Sequence, residues 1–503
     1  MRLLAFLSLA LLLSVPAWCQ PATSATHKTG RTCATDLYQE TLERLEPGTK
    51  LQQQKAREAA NQYLSRHPEK GQAMRRAGVI TIPVVFHVIY NTEEQNIPDE
   101  QLFSQLAVLN ADFRRTNEDR INTPSHFAAL AGDAGIEFCL ATTGPDGLPT
   151  NGITRTLTAA KSFSASNNRI KRADNGGASA WDRNQYLNIW VGNIEDDILG
   201  WATFPGSSSA QNDGVVLHYK TVGAAPYNKT NWEYNKGRTA THEIGHWLGL
   251  RHIWGDADFS CSDSDGIADT PNQYKPTYGC PSAVNISCNN GPYGDMSENY
   301  MDYSDDACMN LFTNGQIAYM QAMLSSSRSN ILESPACTGG LVAGFEAATE
   351  TLVRPGSAVT FQDKSIGVRP TSWLWEFEGG VPATSTEQNP TVSYTTPGKY
   401  KVTLTIANSQ MSSTETREQY IEVTPNQLTV YPVPASDYIM IEQPATVTLR
   451  HVELINRLGQ VMFKQEVTTR TAELRTTGIP SGVYILRVTS SEGTETRKVT
   501  IIR

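Results

Sequence analysis

The chain has 503 residues, a formal net charge of -9 and a pI near 5.6, with 18% charged and 39% hydrophobic residues. That length exceeds what one hydrophobic core serves, so several domains are expected. The acidic balance offers no basic surface on which to hold nucleic acid or an anionic membrane, and both are excluded as partners on that ground.

In chain order, "MRLLAFLSLALLLSVPAWC" places Arg2 before an apolar run from Leu3 to Leu13, followed by Pro16 and small residues. This reads as a secretory signal peptide over residues 1–19. No other segment approaches the ~18 consecutive apolar residues of a membrane span. Export permits disulfides. Beyond residue 19 the cysteines are Cys33, Cys139, Cys261, Cys280, Cys288, Cys308 and Cys337, an odd set that leaves at least one thiol without an intramolecular partner.

Residues 20–76 are polar and basic, with helix-favouring stretches such as "DLYQETLERLEP" and "KAREAANQYLSRHPEKGQAMRRA" and little that would build a core. They read as a solvated extension or a pro-segment. At "AGVITIPVVFHVIYN" a β-branched run predicts a buried strand, and "PDEQLFSQLAVLNADFRRTN" predicts a helix. Further strands are expected at "YLNIWVGNI" and "DGVVLHY", before a helix carrying "THEIGHWLGLRH". Strands and helices therefore alternate over residues 77–338, as in one α/β domain. From residue 342 the helix signals vanish. Short alternating segments punctuated by Gly and Pro predict two β-sandwiches, over 342–425 and 426–503, with a Pro/Asn linker between them.

The histidine segment carries the chemistry. His242 and His246 stand one helical turn apart on one face, Gly249 is suited to end the helix in a left-handed conformation, and His252 then follows as a third nitrogen. Three neutral imidazoles with a fourth position open are the donor set of catalytic zinc. Glu243 lies about a hundred degrees round the helix from His242, placed to act as base on a water and not as a ligand. HExxHxxGxxH at this spacing is a hydrolytic zinc signature.

"HEIGHWLGLRH" together with "SENYMDYSDDACMN" resembles the pappalysin family of metzincin metallopeptidases, particularly its small microbial members, over about residues 81–316. The resemblance implies a twisted sheet with active-site and backing helices, zinc on His242, His246 and His252, Glu243 as general base, and Met301 as the methionine turn beneath the metal. It implies Tyr303 as the oxyanion donor and Asp306 at the base of a pocket selecting Arg or Lys just after the scissile bond. Residue chemistry alone leaves three pairings for Cys261, Cys280, Cys288 and Cys308; the resemblance implies Cys261–Cys288 and Cys280–Cys308. "CSDSDGIADTPNQ" suits a calcium ion, with Asp265 and Thr270 at the family's ligand positions and Asp263 and Asp269 as further candidates. "LGWATFP" is expected as the rim strand that aligns substrate by backbone pairing.

"GRTCATD" resembles the short latency motif of the family's zymogens, with Cys33 as a thiolate on the metal until it is removed. Cys33 is then the unpaired cysteine if Cys139 and Cys337 pair; a bond from Cys33 to either is the alternative. "AMRRAG" offers Arg75 and Arg76 as self-processing sites. The segment "WLWEFEGGVPATSTEQNPTVSYTTPGKYKVTLTI" resembles a polycystic-kidney-disease (PKD) domain. "VYPVPASDYIMIE" and "GIPSGVYILRV" resemble the C-terminal sorting domain of the type IX secretion system, which implies engagement of that machinery and a bacterial surface or extracellular destination. The reading is a secreted, self-processing zinc endopeptidase acting on protein and peptide substrates as a monomer. The competing reading is a surface-binding or adhesion protein with an auxiliary or inactive metalloprotease domain.

Overall fold

The computed structural model describes residues 32–67, 78–206, 209–255, 257–408, 411–424, 428–444 and 447–503. The expected signal peptide, the candidate processing sites Arg75 and Arg76, and residues 425–427 of the expected linker lie outside the described residues.

A twisted sheet organises the first half of the chain. β1 (Ile80–Tyr90) is buried on both faces, as its β-branched run requires. It pairs in parallel with β2 (Ile136–Leu140) along its first half, with β3 (Ile153–Leu157) along its second, and with β4 (Leu187–Gly192) on its other side. β4 pairs in parallel with β6 (Val215–His218), and the short edge strand β5 (Gly200–Ala202) runs antiparallel to β6. On one face Ile82, Val84, Phe86 and Val88 join Leu102, Leu109, Phe113, Ile244 and Trp247 in the main core.

That core is closed by three helices. α3 (Asp99–Phe113) inserts Leu102, Leu109 and Phe113; α4 (Arg238–Trp247) is buried along its whole length; α5 (Asn314–Ser326) starts in a capping box of Thr313 and Gln316. α4 stops where Gly249 takes φ +95°, with Gly249 N–H donating to His246 O and Leu250 N–H to Gly245 O. The added Cβ of any other residue there would also meet the Met323 methyl at 2.8 Å. This stop turns the chain back towards the helix it has just left.

Within the polar N-terminal segment, residues 32–67 are not a solvated extension. They form α1 (Thr35–Leu45) and α2 (Thr49–Arg66), both docked on the α/β unit. Tyr38 and Leu42 enter a second core on the opposite face of the sheet, with Ile89, Trp190, Trp201 and Val216. Ala56 and Ala60 of α2 pack on Ala322 and Met323 of α5. The composition hid this because several of the buried positions, Thr35, Gln39 and Gln53 among them, are polar and docked by hydrogen bonds.

Two all-β units follow. In the first, Ser372–Phe377, Gly398–Ala407 and Ser412–Val423 form one sheet that packs Trp375, Phe377 and Leu404 against Val359, Phe361 and Tyr394 of the other. In the second, the sheet of Leu449–Ile455, Val461–Glu466, Gly482–Ser490 and Gly493–Ile501 faces a three-stranded sheet containing Tyr438–Glu442. Among the described residues no helix is long and apolar enough to cross a membrane.

Candidate active site

α4 and the turn after it bring three imidazoles to one point. His246 Nε2 lies 3.1 Å from His242 Nε2 and 3.2 Å from His252 Nε2. All three rings are buried. Their outer nitrogens are held: His242 Nδ1 lies 2.7 Å from the Tyr300 carbonyl, His246 Nδ1 2.7 Å from the Leu250 carbonyl, and His252 Nδ1 3.4 Å from Asp36 Oδ2. A carbonyl can only accept, so His242 and His246 carry their protons on Nδ1 and turn Nε2 lone pairs inward. Burial, then the neighbouring His252, push His246 down to about 3, so it is a neutral imidazole at neutral pH. Trp254 stacks on His252 with ring centroids 4.4 Å apart and fixes its plane.

Cys33 stands with the histidines; the four potential ligand atoms lie within 4.8 Å of one another. The segment around it pairs in parallel with β5, with Leu199 N–H donating to Thr32 O and Ala34 N–H to Gly200 O at 2.9 Å each. Cys33 Sγ is 3.5 Å from Glu243 Oε2, and Thr35 Oγ1 donates to the same oxygen at 3.0 Å. The Tyr303 hydroxyl donates to the Cys33 carbonyl at 3.3 Å. Burial, then Cys33 and the carboxylates of Asp36 and Glu243, raise Tyr303 well above the usual tyrosine range, so it stays a phenol and a donor.

The other expected site residues fall around this centre. Met301 is fully buried beneath α4, so close that a Cβ on Gly245 would meet its sulfur at 2.4 Å. Asp306 is fully buried at the start of α4, where its Oδ2 accepts the N–H groups of Lys236 at 2.9 Å and Arg238 at 3.2 Å. Asp265 and Thr270 meet on a separate loop, where the Thr270 hydroxyl lies 2.9 Å from each Asp265 oxygen. Asp263 pairs with Arg251 at 2.8 Å, while Asp269 accepts from Thr313 Oγ1 and Gly315 N–H at the start of α5. Cys261 is bonded to Cys288, Cys280 to Cys308 and Cys139 to Cys337, which leaves Cys33 as the free cysteine among the described residues.

The M43 peptidase model, described as pregnancy-associated plasma protein-A, matches residues 171–325. An extracellular metalloprotease of Arthroderma benhamiae is 36% identical over 254 residues, 50% of this chain and 79% of its own. The chain belongs to the M43 pappalysin metallopeptidases. A second extracellular metalloprotease, from Colletotrichum graminicola, is 33% identical over 306 residues, 59% of this chain and 90% of its own. A solved structure of a promirolysin mutant from Tannerella forsythia is similar at 46% identity with a TM-score of 0.52, covering 60% of this chain and 97% of that one. Residues 344–423 match the PKD domain, and residues 429–502 a secretion system C-terminal sorting domain.

A metallopeptidase needs a metal, and the cluster fits one. In a tetrahedral site with metal–nitrogen bonds near ~2.0–2.1 Å, ligand nitrogens sit roughly 3.3–3.4 Å apart, close to the spacing found here. Burial and the Glu243 carboxylate both push the Cys33 thiol well above its ordinary range, so a thiolate at this spot needs a cation among the imidazoles.

Sequence reasoning passed over several residues that build this centre. Thr35 and Asp36 stand inside "CATD", the motif that carried Cys33, yet their contacts to Glu243 and His252 need the fold. The carboxylate of Asp112 on α3 accepts from Tyr300 Oη and Thr241 Oγ1 at 2.8 Å each and lies 3.5 Å from Arg238. It thereby fixes the turn whose carbonyl holds His242. Nothing local marks such an aspartate inside a helix.

Proposed function

We propose that this chain is a secreted zinc endopeptidase, made as a self-processing zymogen, that cleaves on the N-terminal side of Arg and Lys. His242, His246 and His252 hold zinc, and residues 77–338 form the catalytic domain. When bound, zinc polarises the scissile carbonyl and acidifies water. Glu243 takes the proton released as water attacks and passes it to the leaving amine. Tyr303 donates its hydroxyl to the carbonyl oxygen as negative charge develops there. The observation that carries this reading is the convergence of three Nε2 atoms, those of His242 and His246 with their lone pairs turned inward, beside a Cys33 that Glu243 and Tyr303 also contact.

Residues 20–76 act as the pro-segment. Cys33 occupies the ligand position that substrate needs, Thr35 engages Glu243, and the Cys33 carbonyl uses the Tyr303 hydroxyl. Removal at Arg75 or Arg76 begins activation. Asp306 supplies the specificity charge, being a buried carboxylate at the N-terminal end of the helix that carries the base. Asp265 and Thr270 contribute to a structural calcium site. The C-terminal unit, 426–503, directs export by a type IX machinery to a bacterial surface or the medium; the unit at 342–425 is a spacer or weak adhesion module.

The test is a digest of denatured mixed protein with the new termini mapped, beside Glu243→Ala and a chelated control. New N-termini are expected to begin with Arg or Lys in the wild-type digest alone. Termini without that bias would remove the assigned role of Asp306. Absence of any cleavage after the pro-segment is removed would favour the adhesion reading.

A further inference from the structure

The second core, which Trp201 of β5 enters, holds a buried lysine with no carboxylate partner among the described residues. Lys171 is 1% exposed. Its ammonium donates to Thr203 Oγ1 at 3.2 Å and to the Asn212 carbonyl at 2.6 Å, and lies 4.5 Å from the Tyr38 ring centroid and 4.9 Å from that of Trp190. Among the described residues no carboxylate pairs with it. Asp213, the acid whose field reaches it, is engaged by Arg328 at 2.9 Å and by Trp247 Nε1 at 2.7 Å. Burial pushes Lys171 down to about 7. A cation buried without a carboxylate is costly, and part of what stabilises this one is the ring of Tyr38, from the N-terminal segment.

Three more buried polar atoms around this point lack partners: Asn168 Nδ2, Trp201 Nε1 and Asn212 Oδ1. Their residues are 3%, 0% and 0% exposed. The removable wall of the pocket is the pro-segment. The Tyr38 hydroxyl donates to Asn168 Oδ1 at 2.5 Å, and the Tyr38 ring lies 5.9 Å from that of Trp201. A carboxylate already sits at the pocket's edge, since Glu46 accepts from Asn212 Nδ2 at 2.6 Å and from Ser209 N–H at 3.0 Å.

The pocket's place relative to the scissile bond follows from α4. Asp306 binds the first turn of α4, whereas Phe204 lies 5.5 Å from the ring of His246 near the helix's end. If Asp306 receives the residue after the scissile bond, Ala202 to Phe204 flank residues before it. The pro-segment uses that stretch now, with Ala202 N–H donating to Thr35 Oγ1 at 2.9 Å and Gln39 Nε2 donating to the Ala202 carbonyl at 3.1 Å.

We propose that the pocket vacated by Tyr38 and Glu46 becomes a substrate subsite for an acidic side chain, Asp or Glu, about two to four residues upstream of the scissile bond. Lys171 Nζ, Asn168 Nδ2, Trp201 Nε1 and Asn212 Nδ2 are its donors, and the substrate carboxylate supplies the counter-charge the lysine lacks. This rests on the reading that residues 32–67 leave on activation.

The experiment uses the full chain after its own activation, with mass spectrometry to record whether residues 32–67 have gone. Peptides share one Arg after the scissile bond and carry Glu or Gln at one upstream position at a time. The activated wild type is expected to prefer Glu over Gln about tenfold in kcat/KM at one of these positions, the size of one charged hydrogen bond. In Lys171→Met that ratio should fall to about one. Equal rates on the Glu and Gln peptides at each position in the wild type overturn the proposal without recourse to any variant, as does a ratio unchanged in Lys171→Met. Cleavage of the Gln peptides shows separately that the peptidase reading stands. An active species that retains residues 32–67 overturns the pocket together with the activation reading.

Discussion

Tyr303 donates its hydroxyl to a carbonyl in the cleft, that of Cys33 in the N-terminal segment, at 3.3 Å. A substrate carbonyl would take that place in a chain activated as proposed. Tyr303→Phe keeps the ring packing against His252 and Trp254 and removes only the donor. Steady-state kinetics on the activated enzyme should show kcat lower by roughly 10²–10³ with KM little changed; a variant with unchanged kcat would mark Tyr303 as a packing residue. Asp265 carries a second prediction. Burial raises its carboxyl to about 7. An acid with a native pKa above its unfolded value of about 3.9 binds more protons folded than unfolded, so metal-free stability falls as pH rises from near 4 to 7 and stays lowered above. A calcium ion bound at Asp265, as proposed, would offset that cost where Asp265 is ionised. Calcium should therefore raise Tm more at pH 8 than at pH 5, and an equal or absent shift would argue against a site on Asp265 and Thr270.

At the scale of elements, α4 and the turn at Met301 form one unit. Gly245 has no room for a methyl group, because its Cβ would lie 2.4 Å from Met301 Sδ. Gly245→Ala should cost about 1–3 kcal/mol by overpacking, seen as a lower Tm, and should lower activity by shifting His246; a variant with wild-type Tm would show that Met301 does not support the helix. This unit was legible in the sequence, since the spacing of His242, His246, Gly249 and His252 is itself a statement of helical geometry. The N-terminal helices α1 and α2 were less so. Their buried face mixes Tyr38 and Leu42 with Thr35, Gln39, Ala56 and Ala60, too few large apolar residues to announce a docked surface. What holds them is hydrogen bonding to Ala202 and Asn212 from far along the chain, which no local pattern encodes. The place of Asp306 against the start of α4 was equally out of reach, because it depends on how a later turn folds back.

Over the whole molecule, the N-terminal segment meets the site at several independent points: Cys33 among the histidines, Thr35 on Glu243, Asp36 on His252, α1 in the second core beside Trp201, and α2 on α5. Cys33→Ala should therefore make the uncleaved chain active, at a rate well below that of the processed enzyme, since Thr35 still occupies the base. An uncleaved Cys33→Ala chain as silent as the wild type would argue against the thiol as the switch. The central claim, a zinc centre with Glu243 as its base, is tested most directly by metal content and cleavage measured together on activated wild type and Glu243→Ala. Both proteins should hold one zinc per chain, and only the wild type should cleave, losing activity on chelation and regaining it with zinc. Cleavage that survives in Glu243→Ala, or a wild type that cleaves without bound zinc, would contradict the account.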